Sequence, residues 1–304
     1  MPARDEVARL GILLDALAAQ DVDGLVSVVV VLNNTTDGSA ETVAQAGRRH
    51  ASRLSITFDE CQFPVELAHA GSARHRAMAL GAASLKYAPS GVLISTDADT
   101  RPPPDWIRAN LKAIDNGADL VGGRLVIDDA EPLDSDASEV RALWDAYWSR
   151  VRAIEDEVDP SAFDPAPRHG DHTGASLAIT VEAYQAAGGV PIIATGEDRA
   201  LVNAAVAAGR RLVHPLPVWT RVSPRLDGRA SGGMAEDMRR LQSDARAGRF
   251  PLAPAFEHWR ERSVWRRELR GQLGPSALMT KEAALPPMPH DMPLFWPLAG
   301  RGRS

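Results

Sequence analysis

Cysteine is all but missing from this chain of 304 residues: there is one, Cys61. A single thiol excludes an intramolecular disulfide framework and a cysteine-built metal cage. Close to Phe63, it reads as a packed side chain. Long apolar runs are missing too. Nothing approaches the ~20 residues that a membrane-spanning helix needs, and no signal peptide opens the chain. The expected compartment is the cytoplasm, with peripheral contact to a membrane surface left open. Positive charge is not in excess: the formal net charge is -6 and the basic residues are scattered, so no nucleic-acid partner is expected. The first strongly apolar stretch also lacks a Gly-x-Gly-x-x-Gly turn. Leu32 leads instead into Asn33-Asn34-Thr35-Thr36, which argues against a dinucleotide-binding oxidoreductase.

What is present is a rhythm, in a chain long enough for one large α/β domain or two closely packed ones. Residues 6–20 place Leu10, Leu13, Leu14 and Leu17 on one helical face. Residues 25–32 are apolar and valine-rich, the composition of a parallel strand covered on both sides. A polar loop follows, with Asp37 or Ser39 placed to cap the helix that carries Val43 and Ala46. Residues 54–58, 91–96 and 120–127 read as further strands, and 71–83 and 106–114 as helices. Strand, polar loop and helix in repeating order predict a doubly wound α/β sheet.

Beyond Asp128 the rhythm breaks. Residues 157–171 read as a loop near a site, 198–208 as a helix, and 234–247 and 256–269 as later helices. Prolines at 275, 286, 287, 289, 293 and 297 predict a tail from Gly271 onward that is draped over the body or partly disordered.

The run Ile94-Ser95-Thr96-Asp97-Ala98-Asp99-Thr100 puts two carboxylates at the exit of a buried-type strand, just before the stop at Arg101-Pro102-Pro103-Pro104. Two such aspartates in a cleft cannot comfortably both stay charged without a counter-ion. Hard oxygen ligands point to magnesium or manganese rather than zinc. Alone, Asp-Ala-Asp reads equally well as a solvated turn.

Five blocks in order raise the functional reading. They are Pro2-Ala3-Arg4-Asp5-Glu6, the loop 33–39, Gly71-Ser72-Ala73-Arg74-His75-Arg76-Ala77, and Asp97-Ala98-Asp99 with Asp119-Leu120-Val121-Gly122-Gly123 behind it. The last is 174–179 with Gly188-Gly189 and Gly196-Glu197-Asp198. Together they resemble glycosyltransferase family 2, the inverting family with the GT-A fold, over about residues 2–233. The resemblance implies a GT-A-type mixed sheet flanked by helices, with a donor half at about 1–127 and an acceptor half at about 128–233. Residues 234–304 then form a helical C-terminal extension and proline-rich tail.

It also implies metal-dependent transfer of a sugar from a nucleotide-sugar donor to a hydroxyl acceptor, with inversion and with Mn2+ or Mg2+ as cofactor. In that reading Asp99 binds the metal, and Asp97 sits nearer the ribose or shares the metal through water. Asp198 is the general base, and Glu197 orients the acceptor or the base. Arg4, Asn33 and Arg74 lie at the donor, while Arg225 and Arg229 belong to a late basic loop over the diphosphate. Gly174 and Ser176 line the acceptor pocket, and His172 or His214 supplies a third metal ligand.

Three departures stand out. Asp5 occupies a position where relatives carry Asn, and Asn33 one where they often carry an acidic residue, which leaves the nucleotide open. The family's first apolar strand is missing or truncated. A central strand left out would strand its neighbours' backbone groups, so the expectation is a start codon upstream, with another segment in the slot as the alternative. Two rival functions remain. A sugar nucleotidyltransferase would want a glycine-rich N-terminal loop, which residues 2–6 lack. A non-catalytic nucleotide-binding or scaffold homologue is opposed by Asp97, Asp99 and Asp198.

Overall fold

The computed structural model describes residues 1–131, 135–225, 236, 239–240, 243–244 and 246–294. The chain runs β1 (Pro2–Ala3), α1 (Val7–Ala18), β2 (Val26–Asn33), α2 (Ser39–Arg49), β3 (Leu54–Cys61), α3 (Ala70–Ser84) and β4 (Val92–Ser95). Next come β5 (Thr100–Arg101), α4 (Trp106–Asp115), β6 (Leu120–Gly122), β7 (Arg124–Ile127), α5 (Ser135–Val158), β8 (Leu177–Thr180), α6 (Val181–Ala186) and α7 (Glu197–Ala207). Last are β9 (Leu212–Val213), β10 (Trp219–Val222), β11 (Leu252–Ala253), α8 (Phe256–Arg270), α9 (Pro275–Ala283) and β12 (Met292–Pro293). These elements form two compact units. One comprises Met1–Glu131 and Pro167–Ser223, the other Pro132–Ala166 and Pro224–Ser304.

In the first unit, β1, β2 and β3 form a parallel sheet in that order. Strand β1 is two residues long, with Pro2 opposite Val31 and Ala3 opposite Leu32, and the Met1 amine donates to Val29 O at 2.7 Å. The slot beside β2 is thus held by the residues directly before the Arg4 loop. A mixed four-stranded sheet has the order β4-β8-β6-β9, with β8 antiparallel to both of its neighbours. A third sheet, β5-β10-β7, sets Val222 opposite Thr100.

Strand β2 explains its own composition. Val28, Val30 and Leu32 pack with the α1 stripe of Leu10, Leu13, Leu14 and Leu17. Val31 and Val29 turn to the other side, against Ala73 and Ala77 of α3, with Cys61 and Phe63 beside them. A strand covered on both faces has no use for alternation. Leu10, Leu13 and Leu14 are fully buried, each contributing roughly 1.5–3 kcal/mol of transfer free energy. Asp37 serves two helix starts at once, accepting from Val7 N at 3.0 Å and from Ser39 N at 2.9 Å.

In the second unit α5 packs against α8. The Tyr147 ring stacks on Phe256 at 5.5 Å, and its hydroxyl donates to Pro254 O at 2.8 Å while accepting from Trp259 Nε1 at 2.6 Å. Buried Glu155 accepts from Arg152 at 2.7 Å and Arg266 at 2.8 Å. The tail expected to be draped over the body or partly disordered carries α9 and β12. Pro275 opens α9 at its first turn, where its missing N–H would have had no intrahelical partner. Most of the helix expected over 234–247 lies outside the described residues, as do Arg229 and Pro297.

Candidate active site

The turn after β4 is braced from within. Thr96 and Thr100, both buried, bring their hydroxyls to 2.7 Å. Thr96 Oγ1 donates to Ala175 O at 3.1 Å, and Thr100 Oγ1 to Asp97 O at 3.0 Å. Ser223 N, just past β10, donates to Asp99 O at 3.2 Å. Asp97 and Asp99, both half-buried, therefore leave a turn whose backbone is fixed on three sides. Immediately after it, Arg101 donates to both oxygens of buried Asp128, with Nε at 2.9 Å. That contact, first among the causes, holds the Asp128 carboxyl down at about 2.

Arg74 of α3 does not face solvent. It is 4% exposed, and its guanidinium is the hub of the site. Nε donates to Glu197 Oε1 at 2.9 Å, Nη2 to Asp97 Oδ1 at 2.7 Å, and Nη1 to Ser95 Oγ at 2.6 Å and to Gly174 O at 2.9 Å. Burial by itself would lower such a group; the two carboxylates override it and hold the guanidinium above its ordinary range. A guanidinium is the one side chain whose planar fork can serve this many acceptors from a single point. All of these acceptors are protein groups, because the side chain points into the unit. A side chain on residue 174 would collide with it: a Cβ there would lie 2.3 Å from Arg74 Cζ.

Asp198 sits in the first turn of α7, after Gly196 with φ +76°. That left-handed conformation is cheap only for glycine. Asp198 Oδ2 accepts from Gly174 N at 2.6 Å and Oδ1 from Arg199 N at 2.7 Å. A carboxylate offers about four lone-pair positions, so two bonds leave it able to accept a further hydroxyl. Leu201 and Val202 behind it are buried with Leu120, Leu177 and Ile179.

Other expected site residues fall as follows. Asn33 is buried and donates from Nδ2 to His69 O at 3.1 Å, with its Oδ1 enclosed and not hydrogen-bonded. Arg4 donates to Ala68 O at 3.2 Å. Asp5 and Asn34 both take positive φ, 48° and 46°, and Asp5 Oδ1 accepts from Thr36 N at 2.7 Å. Ser176, expected in the acceptor pocket, is fully buried and accepts from Trp106 Nε1 at 2.9 Å. Its side chain fills the space beside Gly123, where a Cβ would come within 1.9 Å of Ser176 Oγ. His172 and His214 pair with each other, Nδ1 to Nε2 at 3.1 Å, and His169 packs edge-on to His214. No group of three or more His, Cys, Asp or Glu able to hold a metal occurs among the described residues. Arg225 belongs to the second unit.

Sequence reading missed the Arg74–Glu197 ion pair and the role of Ser95. The pair spans 123 positions, and nothing in one sequence marks residues so far apart as neighbours.

A mixed sheet of this kind, with a carboxylate turn at one strand exit and an acidic helix start across from it, defines the GT-A class of α/β fold. The chain is similar to several solved structures. S. aureus TarS 1-349 in complex with UDP is 14% identical, with a TM-score of 0.52 and coverage of 88% of this chain and 69% of that one. The mannosyltransferase PcManGT from Pyrobaculum calidifontis, in complex with GDP-Man and Mn2+, is 17% identical (TM-score 0.49), covering 93% and 78%. Glucosyl-3-phosphoglycerate synthase from Mycobacterium tuberculosis, in complex with Mn2+, UDP-Glc and glycerol 3-phosphate, is 16% identical (TM-score 0.42), covering 84% and 82%. No curated protein sequence matches the chain. The family description Glycosyl transferase family 2 matches residues 1–158, just over half of it. The chain belongs to that family and is a glycosyltransferase.

Proposed function

We propose that this enzyme transfers a sugar from a nucleotide-sugar donor to a hydroxyl acceptor in a single displacement with inversion, and that the reaction needs a divalent cation. The observation that carries the reading is the linkage within one unit: Asp97 of the carboxylate turn and Asp198 of α7 are joined through Arg74 and the Gly174 peptide. Donor-side and acceptor-side carboxylates are thus held in one rigid frame.

Asp97 and Asp99 would hold the cation. Two carboxylates without a full protein cage suit magnesium or manganese, whose remaining ligands are phosphate oxygens and water. When bound, that ion stabilises the negative charge that develops on the departing nucleoside diphosphate. Asp198 accepts the acceptor hydroxyl's proton as that oxygen forms its bond to the anomeric carbon and the bond to the diphosphate breaks. Attack from the face opposite the leaving group inverts the centre. Glu197, paired with Arg74, orients this arrangement. Arg4 and Asn33 belong to the donor side and Gly174 to the acceptor side. The donor half, the acceptor half and the C-terminal extension keep their proposed limits at about 1–127, 128–233 and 234–304.

The cysteine content supports a cytoplasmic place of action, on an acceptor that is free or presented at a membrane surface. Incubation with a panel of nucleotide sugars, with and without MnCl2, tests the proposal. Release of nucleoside diphosphate that requires the metal supports it. Pyrophosphate release from a nucleoside triphosphate and a sugar 1-phosphate, without sugar transfer, would replace it with nucleotidyl transfer.

A further inference from the structure

The guanidinium of Arg74 touches both carboxylate-bearing segments of the site. It reaches Asp97 on the turn after β4 and Glu197 at the start of α7. It also reaches the carbonyl of Gly174, whose N–H is the one that Asp198 accepts. Gly174 is therefore held through both of its backbone groups, by Arg74 and Ser95 on its oxygen and by Asp198 on its nitrogen. A displacement of this residue is passed on to the carboxylate bound to it.

Four described hydrogen bonds engage all three nitrogens of the side chain, and its exposure of 4% excludes it from a solvent-facing donor site. Its charge is also balanced locally, by Asp97 with a side chain 36% exposed and Glu197 with one 7% exposed. The more buried partner fixes α7, while the more exposed one retains an oxygen on the open side. A phosphate drawing the guanidinium outward would break the contact to Glu197 and leave that carboxylate buried without its cation, which is strongly unfavourable.

We infer that Arg74 is a positioning residue that sets the separation of the donor-side carboxylate Asp97 from the proposed base Asp198, and that it makes no contact with the donor. The inference rests on the functional reading above and deepens it.

The test uses the full chain and three variants: Arg74→Gln, Arg74→Lys and Gly174→Ala. Gly174→Ala leaves the arginine in place but drives a methyl into its guanidinium. Folding is checked by circular dichroism. Affinity for UDP, GDP, CDP, dTDP and ADP with MnCl2 is measured by calorimetry, and turnover by nucleoside diphosphate release from the best nucleotide sugar.

The expected result is nucleotide affinity within about threefold of wild type in all three. Turnover should fall by about 10²-fold in Arg74→Gln and Gly174→Ala, the scale of a misplacement near 1 Å, with partial recovery in Arg74→Lys. Loss of nucleotide affinity by ten-fold or more in Arg74→Gln, with Gly174→Ala binding normally, would make Arg74 a donor ligand and overturn the inference. Normal turnover in Gly174→Ala would overturn it as well, and that measurement stands even if Arg74→Gln does not fold. Failure of the functional reading shows elsewhere, in the wild-type chain: no metal-dependent binding of any nucleotide and no diphosphate release would remove both.

Discussion

Asp198 Oδ2 accepts the backbone N–H of Gly174 at 2.6 Å. This short bond fixes the direction of the proposed base, because the other oxygen is held by the N–H of Arg199 at 2.7 Å. A carboxylate so held keeps its orientation while retaining lone pairs for an acceptor hydroxyl, which is what an acceptor-facing base requires.

Asp198→Asn should leave fold and nucleotide binding intact and reduce turnover by roughly the 10²–10⁴-fold associated with a general base. The amide cannot take up the acceptor's proton. Calorimetry with a nucleoside diphosphate and MnCl2, alongside diphosphate release, separates binding from chemistry. Near-normal turnover would remove Asp198 from the mechanism.

Asp99→Asn should fail differently. Removing a charged oxygen ligand is expected to weaken manganese-dependent nucleotide binding by at least ~10-fold, since even outer-shell partners of a metal contribute that much. Turnover falls with it. Unchanged metal-dependent affinity would show that Asp99 is not a ligand.

Ser176→Ala tests a placement. Its hydroxyl accepts from Trp106 Nε1 at 2.9 Å in the core, so its loss leaves a buried indole N–H unsatisfied, at a cost of about 1–3 kcal/mol. Chemical denaturation should show that loss while the KM for acceptor stays at the wild-type value. A raised KM with unchanged stability would return Ser176 to the acceptor pocket.

The Arg101–Asp128 pair predicts acid sensitivity. The folded Asp128 carboxyl lies at about 2, against an ordinary value of 3.8. Its contribution to stability is therefore complete above about pH 4. As pH falls, the unfolded chain takes up the proton first, and the contribution fades until it is lost below the folded value. Asp128→Asn should lower stability at pH 7 by on the order of 1–2 kcal/mol. It should also flatten the decline between about pH 4 and pH 2. Urea unfolding at a series of pH values measures both, and an unaltered acid limb would mean that the pair contributes nothing.

Part of this molecule was readable residue by residue. The leucine spacing in α1 matches the buried stripe, and the valine run of β2 matches a strand covered on both faces. Asp97-Ala98-Asp99 was legible as a carboxylate turn because a β-branched run ends there and prolines follow. In the tail, counting prolines did not mark α9, because Pro275 stands in the first turn, where a helix tolerates it. The surroundings of Ser176 were not legible in the sequence. Its neighbours in sequence are site residues, while its neighbours in space are Trp106 and Gly123.

The amino-acid sequence alone determined the fold class, the alternation of the main strands and helices up to Asp115, and the acidic residues at two chain turns. These follow from local periodicity and from residue types whose backbone preferences act over a few positions. The tertiary structure alone decided that Arg74 turns inward to join Asp97 and Glu197, residues 23 and 123 positions away. It also decided that His172 and His214 pair with each other across 42 positions. Ion pairs and hydrogen bonds act over a few ångströms of space, and which distant residues come within that range is settled only when the sheets and helices have packed.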